Sequence, residues 1–460
     1  MNNSSKTSSL LQDLFLPTIL FAALGGMTWA VRGCSGYGAV NGCVFAGVTW
    51  GAAWWFISRD PGGAPSRRHA SSWIILAMSL GIGMAGARGW MQWPSFFRGE
   101  LLLDAPNNKF VPIPKEYGFL WLFIAGVPWA GLGACMLAWC GARRDDGRAS
   151  TRQIVDDWAL RIVCGVGAVM IANWLFARFP EIFLPLYKSL KSQYNDLIAN
   201  PNLKRLIGDN RLAVGHMGLY LGFLLAEVIR RDWKNVTLIS TVGLLNGAGW
   251  ALCQNWNWAH KAFPGIDFNW WRCWESSGGI SIGIAYGVAY YLVNRPDAGT
   301  AKFAYRIPSP NLERFGVYFG LLAALGFSIK NGLKGCANIY IGNEAYWSRL
   351  LSLILFPAVL VLLTVVAMRI ALSPQRRDSD DDPIPEAAWL IWITLIIQNV
   401  LAQLVTGPHS NWTENVFCLY YLGLFLVSGL VVRHYQTRQR RQISLLESER
   451  RRLAKTARPQ

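Results

Sequence analysis

Residues 246–275, NGAGWALCQNWNWAHKAFPGIDFNWWRCWE, concentrate side chains able to do chemistry: six Trp with Gln254, Asn257, His260, Lys261, Asp267, Arg272 and Glu275. Indole faces stack on the apolar faces of sugar-like rings, while amides, a carboxylate and a guanidinium pair with hydroxyls or anionic groups. This combination points to binding of a hydroxylated or anionic solute. The bland alternative is an aromatic belt at a lipid–water boundary with its ordinary polar loop.

The same residue types recur at the ends of other apolar segments. Arg32, Arg88, Gln254 and Lys330 close segments running one way, and Glu116, Glu275, Glu344 and Glu414 open segments running back. Arg32, Arg88, Gln254, Asn257, Arg272, Glu275, Lys330 and Glu344 are therefore the candidate substrate-binding set. Ionised groups at membrane depth cost several kcal/mol unless paired or hydrated, which makes each a functional candidate. The competing reading is capping, because such charges complement helix dipoles by about 0.3–1 kcal/mol each. No catalytic residue stands out: GxxxxGK[ST] and HExxH are absent from the sequence. Nine Cys show no CxxC and no Cys/His metal spacing, so neither a metal nor a cofactor is expected. Cys34, Cys273 and Cys336 fall toward one edge, where one disulfide among them is compatible with the pattern.

The elements that position these residues are membrane spans. The chain is 52% hydrophobic and only 15% charged, against roughly 25% for soluble domains. A span needs about 20 mostly apolar residues. Candidates lie near 12–32, 38–57, 72–90, 118–140, 158–178, 212–229, 236–254, 276–293, 315–332, 347–371, 387–405 and 415–432. The expected fold is an all-α polytopic membrane bundle of about twelve helices in six hairpins. It forms one transmembrane domain over 1–433, with a basic tail at 434–460. Small-residue stripes, Gly279/Gly283/Gly287, Gly218/Gly222 and Gly316/Gly320, read as close helix–helix contacts. Within 179–211, Phe183, Leu186, Leu190, Tyr194, Leu197 and Ile198 recur at helical spacing and read as an amphipathic helix lying on the outer leaflet or capping the bundle.

Orientation follows the basic loops. Arg59, Arg67 and Arg68, then Arg143, Arg144 and Arg148, then Arg230, Arg231 and Lys234 fall on one side, as do Arg376, Arg377 and the Arg-rich tail. Both termini are then expected on the cytoplasmic side, and a bacterial-type inner membrane is the expected setting. The formal charge of +17 is a footprint of orientation rather than of nucleic-acid binding, and the tail is expected to attract anionic lipids.

The function expected is a multi-pass secondary carrier for a small polar solute, anionic or sugar-like, with its site near the outer face. The alternative is a membrane-embedded transferase or hydrolase acting on a lipid-linked substrate at the outer leaflet. Depth separates them: a carrier needs polar groups through to the far face, and an enzyme needs only a blind cavity. In the sequence, polar residues thin out toward the inner ends of the spans, which leans toward the enzyme.

Overall fold

The computed structural model describes residues 10–34, 39–58, 69–85, 93–141, 151–294, 315–320, 322, 341–372 and 412–456. Helix accounts for 84% of the structure. The long helices are α1 (Leu16–Cys34), α2 (Ala39–Ser58), α3 (Ile74–Ala85), α4 (Glu116–Gly141) and α5 (Thr151–Arg178). They continue with α6 (Pro201–Ile229), α7 (Trp233–Cys253), α8 (Trp270–Val293), α9 (Glu344–Leu372) and α10 (Trp412–Thr456).

Among the described residues, seven helical segments are long and apolar enough to cross a bilayer: Leu11–Trp29, Glu116–Cys140, Arg152–Arg178, Pro201–Ile229, Trp233–Ala262, Ala345–Arg369 and Asn415–Arg441. The chain is therefore an integral membrane protein of mostly helical structure. The expected count of about twelve spans is not confirmed among the described residues. Two apolar helices, Gly42–Ser58 and Ile74–Ala85, are shorter. The expected span at 387–405, and most of the one at 315–332, lie outside the described residues.

Helix α8 is outside that set, yet it holds the centre of the bundle. It packs between α1 and α7, with Ser276, Gly278, Gly279, Tyr286 and Tyr290 buried. The glycine stripe is a packing device, as its spacing implied. A Cβ on Gly279 would strike the Gly25 carbonyl, one on Gly283 would strike Phe21 and Ala22, and one on Gly287 would strike Thr18. Four-residue steps keep these glycines on one face, so α1 and α8 meet backbone to backbone. Gly218 and Gly222 do the same for α6 against Cys164, Ala168 and Ala172 of α5.

Interhelical hydrogen bonds to backbone carbonyls lock this packing. The Trp50 indole donates to Phe21 O at 3.0 Å, Tyr286 to Ala130 O at 2.8 Å and Tyr290 to Ile57 O at 2.9 Å. Each such hydroxyl or indole is deeply buried, where an unmet donor would be costly. Remaining neighbours follow in a chain: α7 packs on α4, α6 on α5 and α4, α3 between α2 and α4, and α10 along α1.

The end of the bundle away from the basic loops carries two features that departed from expectation. A two-stranded antiparallel hairpin, β1 (Glu100–Asp104) and β2 (Lys109–Pro112), interrupts the all-α pattern. Its turn places Asn108 at φ 51°, a left-handed conformation Asn tolerates better than most residues. Ala105 N donates to Asn202 Oδ1 at 3.0 Å, which ties the hairpin to the start of α6. Residues 179–200 do cap the bundle, but as two short helical turns, Pro180–Phe183 and Lys191–Asn195, rather than one amphipathic helix. Pro185 and the left-handed Leu186 (φ 54°) break it. In this cap the buried Tyr194 hydroxyl donates to Pro185 O at 2.9 Å, and burial raises its pKa above the ordinary tyrosine value.

The glycine seam makes a sharp prediction. Gly283→Ala should destabilise the protein by about 1–3 kcal/mol, since backbone must move to admit the methyl. Gly423→Ala on α10, where a Cβ meets nothing within 4 Å, should be neutral or stabilising by about 0.5–1 kcal/mol. Thermal unfolding of the two variants in detergent, followed by Trp fluorescence, reads the difference; equal melting temperatures would refute the seam.

Candidate functional site

The α7–α8 connection forms the polar end. Helix α7 closes at Cys253, and a tight turn over Gln254–Trp258 leads into a short helix, Ala259–Ala262. Gln254 is fully buried where α7 ends. Its Oε1 accepts from Asn257 Nδ2 at 2.5 Å, while its Nε2 meets no acceptor among the described residues. Trp256 donates to Ser277 Oγ at 3.1 Å and Trp258 to Phe97 O at 3.1 Å, pinning the turn to α8 and to the segment before β1. Trp270 stacks on Trp256 at 6.0 Å and on Phe263 at 5.6 Å, so several of these indoles form an aromatic rim.

Helix α8 opens at Trp270 with Asn269 as its N-cap, accepting from Arg272 N at 3.0 Å. This start is six residues earlier than the expected 276, and it changes the reading of Glu275. Glu275 lies in the second turn of α8 and is fully buried, so it is no exposed cap. Glu116, in the first turn of α4, is exposed and does fit the capping role. Arg272 is 5% exposed, and its guanidinium lies 5.2 Å from the centre of the Phe417 ring. The floor beneath is tryptophan: Trp250 lies 5.0 Å from Trp274 and 4.9 Å from Trp129, with Trp29 at 6.1 Å.

Of the eight residues singled out from sequence, Gln254, Asn257, Arg272 and Glu275 come to this one end, on the α7–α8 connection and the first turns of α8. Arg32 stands in the last turn of α1, two turns beyond Gly25, whose carbonyl meets Gly279. Glu344 opens α9. The side chains of Arg32 and Glu344, and all of Arg88 and Lys330, lie outside the described residues. Cys273 is a free thiol, so it takes no part in the disulfide the spacing allowed; the side chains of Cys34 and Cys336 fall outside the described residues. At the same end a recess of about 10 Å³, room for about one water, is lined by Trp93, Trp129, Asp209 and His216.

The opposite end holds a charged network that sequence reasoning missed. Arg161 Nε donates to Glu227 Oε1 at 2.6 Å, and their side chains are only 4% and 0% exposed. Arg230 donates to Glu227 Oε2 at 2.7 Å and grips Asp157 with two bonds of 2.8 and 2.6 Å. Asn235 Nδ2 donates to Glu227 Oε2 at 2.9 Å, and its Oδ1 accepts from His69 Nε2 at 3.0 Å. As an amide oxygen only accepts, that His69 nitrogen carries the proton. Arg161 also lies over the rings of Trp139 and Trp158, at 5.2 and 5.8 Å. The signal was present as Asp157/Arg161 and Glu227/Arg230 at helical spacing, but Arg230 reads by itself as a loop charge.

Glu227 answers to two guanidiniums, and removing Arg161 leaves its Oε1 buried with no charged partner of its own. Arg161→Met should cost about 3–5 kcal/mol, and Arg161→Met with Glu227→Met distinctly less than the sum of the single changes. Unfolding midpoints of the two singles and the double form the cycle that checks it, and strict additivity would deny the coupling. Scans against protein-family models, curated proteins and solved structures give no match for this chain.

Proposed function

We propose that the chain is a multi-pass secondary carrier for a small polar solute, anionic or sugar-like, which enters at the Gln254–Glu275 end. The observation that carries this reading is the buried face of α7. Asn235, Asn246 and Gln254 lie along it at the basic-loop end, the middle and the far end, and all are fully buried. Polar groups at three depths suit a route through the bundle. They also answer the inference that polar residues thin out toward the inner ends, since Glu227, Arg161 and Asn235 are buried there.

Three atoms on this face support a hydrogen-bonding route. Asn246 Oδ1, Trp250 Nε1 and Gln254 Nε2 sit at four-residue steps, and none has a hydrogen-bond partner among the described residues. Leaving a buried polar atom unmet costs about 1–3 kcal/mol, so a row of them is best explained by a polar species that passes or rests beside it. The Trp29, Trp50, Trp129 and Trp250 cluster closes the middle, as an occluded carrier requires. Under the positive-inside rule the basic-loop end is cytoplasmic, so the Gln254 end faces out. Arg272, with Arg32, Arg88 and Lys330, would engage an anionic group; Glu275 and Glu344 would serve as gate or coupling carboxylates, and Asn257 holds Gln254 in place.

The rival is an enzyme acting on a lipid-linked substrate, with the same residues around a blind cavity. Cysteine accessibility separates the two. In a background without native cysteines, Asn246→Cys should react with a membrane-impermeant thiol reagent added from either face of a vesicle. Labelling only from the Gln254 side would favour the enzyme, and none from either side would sink both readings.

A further inference from the structure

Helix α10 runs without a break from Trp412 to Thr456, well past the apolar stretch that crosses the bilayer. Beyond Val432 it stays docked on the bundle. The Tyr435 hydroxyl donates to the Gln12 carbonyl, and Gln439 Nε2 donates to Phe56 O at 3.3 Å. These tethers fix which side of the helix turns away. Arg433, His434, Thr437, Arg438 and Arg441 follow at i, i+1, i+4, i+5 and i+8, which places them on one face. With Leu430 and Gln12 they line an open groove of about 450 Å³.

The groove has the chemistry of a phosphate site. None of its three guanidiniums makes an ion pair with a carboxylate among the described residues. Guanidinium forks match phosphate oxygens in pairs, and the Thr437 hydroxyl adds a donor. Position narrows the source. Arg433 follows directly on the apolar run, so the groove sits at the level of lipid headgroups, and Leu430 offers an apolar wall on its bilayer side. A zwitterionic headgroup would bring its own ammonium against the arginines; an anionic diester brings none.

We propose that this groove is a specific headgroup site for an anionic phospholipid, its phosphodiester held by Arg433, Arg438 and Arg441 and its glycerol end against Leu430. The site is independent of the carrier reading. It replaces the diffuse attraction expected of the tail with a defined place.

The test titrates the detergent-purified full chain with phosphatidylglycerol or phosphatidylcholine and counts bound lipid by native mass spectrometry. One phosphatidylglycerol should bind in preference to phosphatidylcholine. The variant R433Q/R438Q/R441Q should weaken it about tenfold or more, while the charge-matched R450Q/R451Q/R452Q should stay within about twofold of wild type. Arg433 and Arg441 are exposed, so R433Q/R441Q serves if the triple variant does not yield folded protein. Equal losses in both triples would mean diffuse attraction and overturn the proposal. So would displacement of the lipid by an equal concentration of inorganic phosphate, or binding without preference.

Discussion

The close crossing of α1 and α8 is the constraint on which the bundle depends. Lipid tails are as apolar as leucine, so two membrane helices gain little from hiding apolar side chains against each other. Contact must come from dense packing and hydrogen bonds. Gly25, Gly279, Gly283 and Gly287 supply the first by removing the Cβ atoms that would hold the backbones apart. Ser276 supplies the second, donating to Gly26 O at 3.0 Å and sharing a 2.9 Å bond with the Tyr420 hydroxyl. With α8 held centrally, Trp274 meets Trp250 and Tyr286 reaches Ala130, so α7 and α4 are placed from the same crossing.

Around that centre the polar groups divide by depth. At the basic-loop end Glu227 is met by Arg161, Arg230 and Asn235, a closed network drawn from α5, α6 and α7. In the middle lie tryptophans, with Asn246 donating to Gly126 O at 2.6 Å. At the far end Gln254, Arg272 and Glu275 are buried beneath an aromatic rim. The two ends differ in kind. At one Glu227 meets Arg161, Arg230 and Asn235, while the other retains the unmet Gln254 Nε2.

Much of this was legible in the residues. The apolar runs fix where most helices lie, and the four-residue glycine steps foretold the seam because helical periodicity acts along one segment. The α7–α8 region stood out because tryptophans and amides are dense there. Other features required sums over distant segments. Arg161 and Glu227 lie far apart in the chain, and only the packing of α5 against α6 joins them. Glu275 resembled a cap because Trp270–Trp274 read as rim rather than helix, and its burial appears only once α8 is seen to begin at Trp270. The β1–β2 hairpin was hidden because Leu101–Leu103 is too short a run to declare a strand without its partner.

The central claim is that the buried face of α7 serves a polar species. The most direct test is an experimental density map sharp enough to show ordered water, examined at Asn246 Oδ1, Trp250 Nε1 and Gln254 Nε2. The account predicts water or solute density within hydrogen-bonding distance of these atoms, continuous with the Gln254 end. Finding all three sealed against apolar side chains, or each satisfied by another protein group, would contradict it.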